Sequence, residues 1–439
     1  MTKLKSIIGD NYFQGYAYSY PHKSSYRPFE NPLPLKDVWA QENKAQLFLY
    51  VHIPFCEMRC GFCNLFTIAN PKASHESPFI QSLERQIIAT KTALGKANFN
   101  RLAIGGGTPT FLSLPDLERL FYLMNTVMEA DTIAIPSSVE MSPKTASAEK
   151  LALLKEKGTT RASIGVQSFL LEETKALGRP QKTVEVQQAL QVIKDSGIPE
   201  MNIDLIYGMA GQTLQSWQYS LEQSVAFQPE EIFLYPLYVR PLTGLGSKEK
   251  AWNDHRLNLY RFGRDFLLSK GYEQVTMRIF RNTKAAQMPT PPYNSPEDGM
   301  VGLGVGARSY TKTLHYSSEY AVGRKGVKNI IHDYNEKTSQ DFQKVLYGTR
   351  LSLEEQKRRY VIKSILEGSY LDFKGYHNFF GTAALDDLPE LNELYDLNLA
   401  TKEEPKLQLN QAGLELSDVI GPWLYSERVN AMMQDFELV

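Results

Sequence analysis

All three cysteines of this 439-residue chain fall within eight positions of "YVHIPFCEMRCGFC" (50–63): Cys56, Cys60 and Cys63, spaced C-x3-C-x2-C. An odd, clustered set is no disulfide framework, and buried packing thiols are ordinarily scattered. Structural zinc takes four closed ligands, and no second Cys or His pair of suitable spacing follows. Three thiolates without a fourth fit a [4Fe–4S] cluster whose remaining iron takes a ligand from outside the protein. Further polar residues interrupt apolar runs: Glu140 in "SSVEMS", Gln167 in "IGVQSF" and Asp204 in "NIDLIYG". Burial of any one without a partner is costly, and structural pairing accounts for each taken singly. Three at matching positions point to a polar ligand. "GGGTPT" adds Gly105, Gly106 and Gly107, where the missing Cβ permits close backbone approach. That pattern is neither a P-loop nor a G-x-G-x-x-G turn.

These residues sit at the ends of short apolar runs: 47–53, 101–106, 137–142, 161–167, 202–208 and 231–237. Between the runs, helical periodicity appears, as in Leu114, Leu117, Leu120, Phe121, Met124 and Val127, with Ser113 as N-cap and Pro115 in the first turn. Strand and helix repeated six times predict a parallel sheet with helices outside. In such sheets chemistry gathers at the carboxyl ends of the strands, where the motif residues fall.

Composition excludes other classes. The formal net charge of −1 gives no electrostatic reason to expect a nucleic-acid partner. No apolar run approaches the roughly 18 residues that span a bilayer, and the first residues lack a secretory signal pattern, so a cytoplasmic protein with no membrane partner is expected. Residues 1–45 hold Tyr12, Tyr16, Tyr18, Tyr20 and Tyr26 around His22, Lys23 and Arg27. They read as an extended arm packed on the barrel, or as an arm closing its mouth with aromatics for a flat substrate and cations for its carboxylates. The proline-rich stretch 285–299 reads as a surface loop. After about 345 the texture changes to helices with one short strand pair, beginning with the capped helix in "SLEEQKRRYVIKSIL".

C-x3-C-x2-C with Phe62 before the last cysteine resembles the radical S-adenosylmethionine (SAM) superfamily, and "YVHIPF" narrows this to its oxygen-independent coproporphyrinogen III oxidase-like branch. "IGGGTPTFL", "SSVEMSP", "RASIGVQSF", "LGRPQ", "NIDLIYGMAGQT" and "GLGVGARSY" agree in order, over about residues 47 to 310. The resemblance implies a partial (β/α)6 TIM-like barrel (46–340) after the aromatic-rich arm (1–45), then a small winged-helix-like domain (341–439). It implies a [4Fe–4S] cluster on Cys56, Cys60 and Cys63, and one SAM, or two, cleaved reductively to a 5′-deoxyadenosyl radical that abstracts hydrogen. Gly106, Gly107 and Thr108 would take the amino group of SAM, Gln167 its ribose, and Arg179 its carboxylate. Tyr50, Glu140 and Asp204 carry over as further binding positions, and Phe62 as packing near cluster and adenine. Arg308 corresponds to a position near the adenine or a second SAM, but its residue type varies. No acid–base triad is implied. The expected partners are a small-molecule substrate such as a tetrapyrrole and an electron donor such as flavodoxin or ferredoxin. Oxidases of this branch carry a further cysteine where this chain has Leu65. Besides oxidase chemistry, methyl or methylene transfer on a specialised metabolite and a heme-chaperone role without decarboxylation, with His22 or His52 as heme ligand, therefore stay open.

Overall fold

The structure, a computed structural model, describes residues 3–437 apart from 10–11, 72, 247–254, 287–289, 292, 369 and 404. Six parallel strands form its centre in sequence order: Leu47–Ile53, Phe99–Gly106, Ser137–Met141, Arg161–Gln167, Glu200–Tyr207 and Glu231–Pro236. Helices follow each strand, from Ala73–Leu94 after the first to Arg256–Ser269 after the last. Their apolar faces and the strand side chains share one core that includes Leu49, Val51, Ile104, Val139, Ile164, Ile203 and Leu234. The expected α/β class and the strand positions hold.

The sheet is larger than the six strands the sequence predicts. A seventh parallel strand, Met300–Leu303, joins Leu47–Ile53 in register Gly302 to Tyr50. Antiparallel strands Arg308–Tyr310, Leu314–Ser317, Lys344–Arg350 and Arg27–Pro34 extend that edge. Ile279–Asn282 and Tyr272–Gln274 extend the other. Lys344–Arg350 thus belongs to the barrel sheet, so a domain boundary at residue 340 is too early; charged residues at its two ends mask its pairing in the sequence. The periodic run 114–127 is also not one α-helix. Ser113 caps Leu114–Tyr122, as expected, and Leu123–Val127 then widens to a π-turn.

The C-terminal part has its own core, containing Tyr360, Ile365, Leu371, Tyr376, Leu407, Val419 and Ile420. Its helix Leu353–Leu366 is capped by Ser352, and its sheet has three strands rather than a pair: Leu371–Asp372, Lys406–Leu409 and Ala400–Glu403. Leu4, Ala17 and Tyr20 lie in that same core. The Tyr20 hydroxyl donates to Glu355, and Arg27 donates to the Met432 carbonyl. Residues 1–45 are therefore no separate arm: the beginning of the chain completes the C-terminal core, and Arg27–Pro34 edges the barrel sheet. Among the described residues, no helix is long and apolar enough to cross a membrane.

Candidate functional site

The cysteine loop starts at the end of Leu47–Ile53, and backbone hydrogen bonds tie it to the glycine turn. Gly107 N–H donates to the Ile53 carbonyl at 2.8 Å and Thr108 N–H to the Phe55 carbonyl at 2.7 Å. A Cβ on Gly107 would lie 2.5 Å from that Phe55 oxygen and 3.0 Å from Cys56 Sγ, so only glycine lets the turn lie against the thiol. The far side of the loop is held at Gly61, whose N–H donates to the Leu177 carbonyl at 2.8 Å and whose carbonyl accepts from Leu245 N–H at 2.7 Å.

The three thiols are half-buried. Burial pushes Cys56 up to about 12, with the Thr108 hydroxyl opposing and the charges of Cys63 and Cys60 adding to the rise. Burial also raises Cys60, opposed by Arg179, whose Nη1 lies 3.5 Å from its sulfur. Cys56 and Cys60 are thus poor places for free thiolates and good places for metal to displace protons. Glu57 Oε2, in the same loop, is buried without a hydrogen-bond partner. Among the described residues no three His, Cys, Asp or Glu side chains converge on a single ion, whereas thiolates on separate irons of a cluster stand farther apart. The donor set fits an iron–sulfur cluster.

The polar strand-end residues interlock beside this loop. Gly106 N–H donates to Glu140 Oε2 at 3.0 Å. A Cβ on Gly106, at φ +104°, would run into the His52 ring, and one on Gly105 would lie 2.8 Å from the Glu140 carboxyl. Burial deep in the barrel pushes Glu140 up to about 7, although part of its surface opens on a cavity it lines. Burial likewise pushes Asp204 up to about 6, opposed by the Asn202 amide 2.7 Å from Oδ1. Gln167 sits at φ +69°, where the pairing with Glu200–Tyr207 shifts register. A non-glycine residue there is strained, which marks functional positions. Arg179 Nη2 donates to the Gly165 carbonyl at 2.7 Å, so one guanidinium joins the Gln167 bulge to Cys60.

Tyr50, Gly106 and Glu140 line the cavity of about 750 Å³. The cysteines, Gly107, Thr108, Gln167 and Arg179 adjoin it through the contacts above, whereas Asp204 bears on Glu140 only through its charge. Phe62 instead packs with Tyr235 on the small apolar cluster of Leu177, Ile206, Met209, Leu237 and Leu245. His52 is supporting structure. Its Nε2 must donate to the Phe66 carbonyl at 2.9 Å, leaving Nδ1 to accept from the Tyr50 hydroxyl at 3.2 Å, and burial lowers it to about 4. His22 is committed too, accepting from the Ser24 backbone.

Of the opposite wall, the sequence offers the arm's tyrosines and Lys23 and a position at Arg308, but not Arg101. Lys23 rests 3.6 Å over the Tyr320 ring, Arg101 lies 5.4 Å from the Tyr293 ring, and Arg308 lies 4.9 Å from Tyr18. All three cations line the cavity. Arg308 Nη1 donates to Ser19 Oγ at 2.7 Å, and among the described residues no carboxylate pairs with any of the three. Burial lowers Lys23 to about 8. Strand alternation was the available signal for Arg101, which shares its face with Ala103 and Gly105 as Phe48 does with Tyr50 and His52.

Residues 50–223, which carry this site, match the Radical SAM superfamily. The chain belongs to the radical SAM superfamily. Within it, the chain is similar to oxygen-independent coproporphyrinogen III oxidases and to heme chaperones. It is 26% identical over 455 residues to the oxygen-independent coproporphyrinogen III oxidase of Escherichia coli, covering 97% of both chains. It is 29% identical over 275 residues to the heme chaperone HemW of Bacillus subtilis, covering 61% of this chain and 72% of that one. Its fold matches the solved structure of the Escherichia coli oxidase with a TM-score of 0.80 at 22% identity, over 92% of this chain and 96% of that one. Radical SAM membership implies a [4Fe–4S] cluster and SAM.

Proposed function

We propose that Cys56, Cys60 and Cys63 hold the cluster, that SAM binds between the glycine turn and the Glu140, Gln167, Arg179 and Asp204 group, and that the cavity takes a tetrapyrrole of the porphyrin and heme series. When bound, cluster and SAM supply a one-electron cleavage that yields a hydrogen-abstracting radical. The chain's own residues do the rest. Gly106 and Gly107 bring backbone close to the thiols. Arg179 and Gln181 hold the Gln167 bulge in place, the Gln181 amide donating to the Val166 carbonyl. Glu140 and Asp204 provide carboxyls whose charge a cationic ligand would stabilise.

One observation carries the substrate reading. The same 750 Å³ space is bounded by Glu140 and the glycine turn on one side and by aromatic rings carrying unpaired cations on the other. A flat molecule with acidic side arms suits such a space: rings take its faces and cations its carboxylates. Anaerobic incubation of the reconstituted protein with SAM, a reductant and coproporphyrinogen III tests this, with carbon dioxide and vinyl product expected. A second reading is favoured by Leu65, which is 45% exposed and lines the cavity where oxidases have a cysteine. On that reading the tetrapyrrole or a specialised metabolite receives a SAM-derived carbon, and S-adenosylhomocysteine appears beside 5′-deoxyadenosine. A stable heme complex without turnover would instead mark a chaperone and defeat both.

A further inference from the structure

Tyr16 lines two spaces at once: the large cavity and a smaller one of about 220 Å³ between residues 276–279 and the C-terminal helix Ser417–Trp423. Between Tyr16 and that helix lies Arg278, only 4% exposed. Its guanidinium stacks 3.8 Å from the centre of the Tyr16 ring, and its Nη2 donates to both oxygens of Asp418 at 2.6 Å. The Tyr238 hydroxyl, just past the sixth barrel strand, also donates to Asp418. The backbone repeats the connection, since Gly15 N–H donates to the Asp418 carbonyl at 3.2 Å and Gly421 has room for Ala17 only because it lacks a Cβ. Tyr16 then touches Tyr18 at 5.3 Å, and Tyr18 carries Arg308.

A buried ion pair is a poor source of stability, because desolvation offsets most of its attraction, and an apolar trio of the same volume would serve as well. It does, however, fix an orientation. Asp418 and Tyr238 set the plane of the guanidinium, and its free face leaves one place for the Tyr16 ring. We propose that Arg278 and Asp418 are positioning residues, through which the C-terminal domain holds Tyr16 in the wall of the substrate cavity without touching substrate. The proposal rests on the reading of that cavity as the substrate site.

The test uses the full, cluster-reconstituted chain. Hydrogen exchange of residues 12–20 reports the latch directly, and absorbance titration with coproporphyrin III, which carries four carboxylates, reports the wall. D418N and Y16L should each speed exchange in that segment and weaken porphyrin binding by about thirtyfold, the size of a desolvated cation–π contact. The double variant should lose no more than either single one, because both remove one interaction. Y16F, which keeps the ring on Arg278, should exchange in residues 12–20 as wild type does. Arg278→Met with Asp418→Leu restores apolar packing without charge, so it should fold yet leave residues 12–20 exchanging as fast as in D418N. Wild-type exchange in D418N or in the apolar pair overturns the latch, as do losses that multiply in the double variant. Failure of the wild type to bind the porphyrin overturns the tetrapyrrole reading alone, since exchange still decides the latch.

Discussion

The two walls of the cavity are built in opposite ways. On the thiol side, Cys56, Cys60, Gly106 and Glu140 stand at or just past the ends of consecutive strands, so chain order alone gathers them. Their titratable groups are neutralised by burial, thiols and carboxyls alike rising. On the other side, Lys23, Arg101 and Arg308 come from parts of the chain far apart, and each rests on an aromatic ring. On the proposed reading, one wall takes metal and a cation, the other an anion.

Breaking the thiol wall should have the largest effect. Cys60→Ala is expected to abolish 5′-deoxyadenosine formation from SAM, read by chromatography against wild type; equal yields would remove the cluster from the site. Gly106→Ala comes next. With φ at +104° and His52 against the missing Cβ, it should cost about 3 kcal/mol in denaturant unfolding. Arg308→Leu attacks the other wall and should weaken coproporphyrin III binding about 10- to 100-fold, the range of a hydrogen bond to a charged group. SAM affinity should stay as it was, and an equal loss in both would erase the distinction between the walls.

Glu140→Gln should act through pH. The wild-type carboxyl, at about 7 against an ordinary 4.5, gains charge across that window, so SAM binding should tighten as pH rises from 6 to 8 and the variant should lose this slope. Without ligand the sign reverses. A raised folded-state value means that the native protein binds the extra proton, so wild-type stability falls from about pH 4.5 to 7 relative to E140Q, as thermal melts across that range would read. The smallest effect belongs to Ser113→Ala, outside the cavity. Ser113 caps the helix after the strand that carries both Arg101 and Gly106, so its loss should cost about 1 kcal/mol and move both walls together.

The unequal legibility of the walls follows from their construction. Cys56, Cys60, Cys63, Glu140, Gln167 and Asp204 stand out because a thiol cluster or a polar residue within an apolar strand violates the local pattern. The six strands were readable for the same reason, as continuous apolar runs buried on both faces. Arg101 carries strand alternation as its one signal, and Arg308 only its place after a glycine-rich turn. Only the extension of the sheet, with Met300–Leu303 laid beside Leu47–Ile53 and Arg308–Tyr310 beyond it, brings them to one cavity. The arm was half readable: its tyrosines and Lys23 promised a cavity wall, but nothing local announced that Leu4, Ala17 and Tyr20 belong with residues 360–429. Phe62 shows the converse, a motif aromatic whose partners are apolar side chains from three later segments.

That sharing of one core by the two chain ends has a consequence for biogenesis. Leu4, Ala17 and Tyr20 find their neighbours only after the last helices have left the ribosome, whereas the barrel strands are complete long before. The mouth beside Tyr16 and Lys23 therefore closes last.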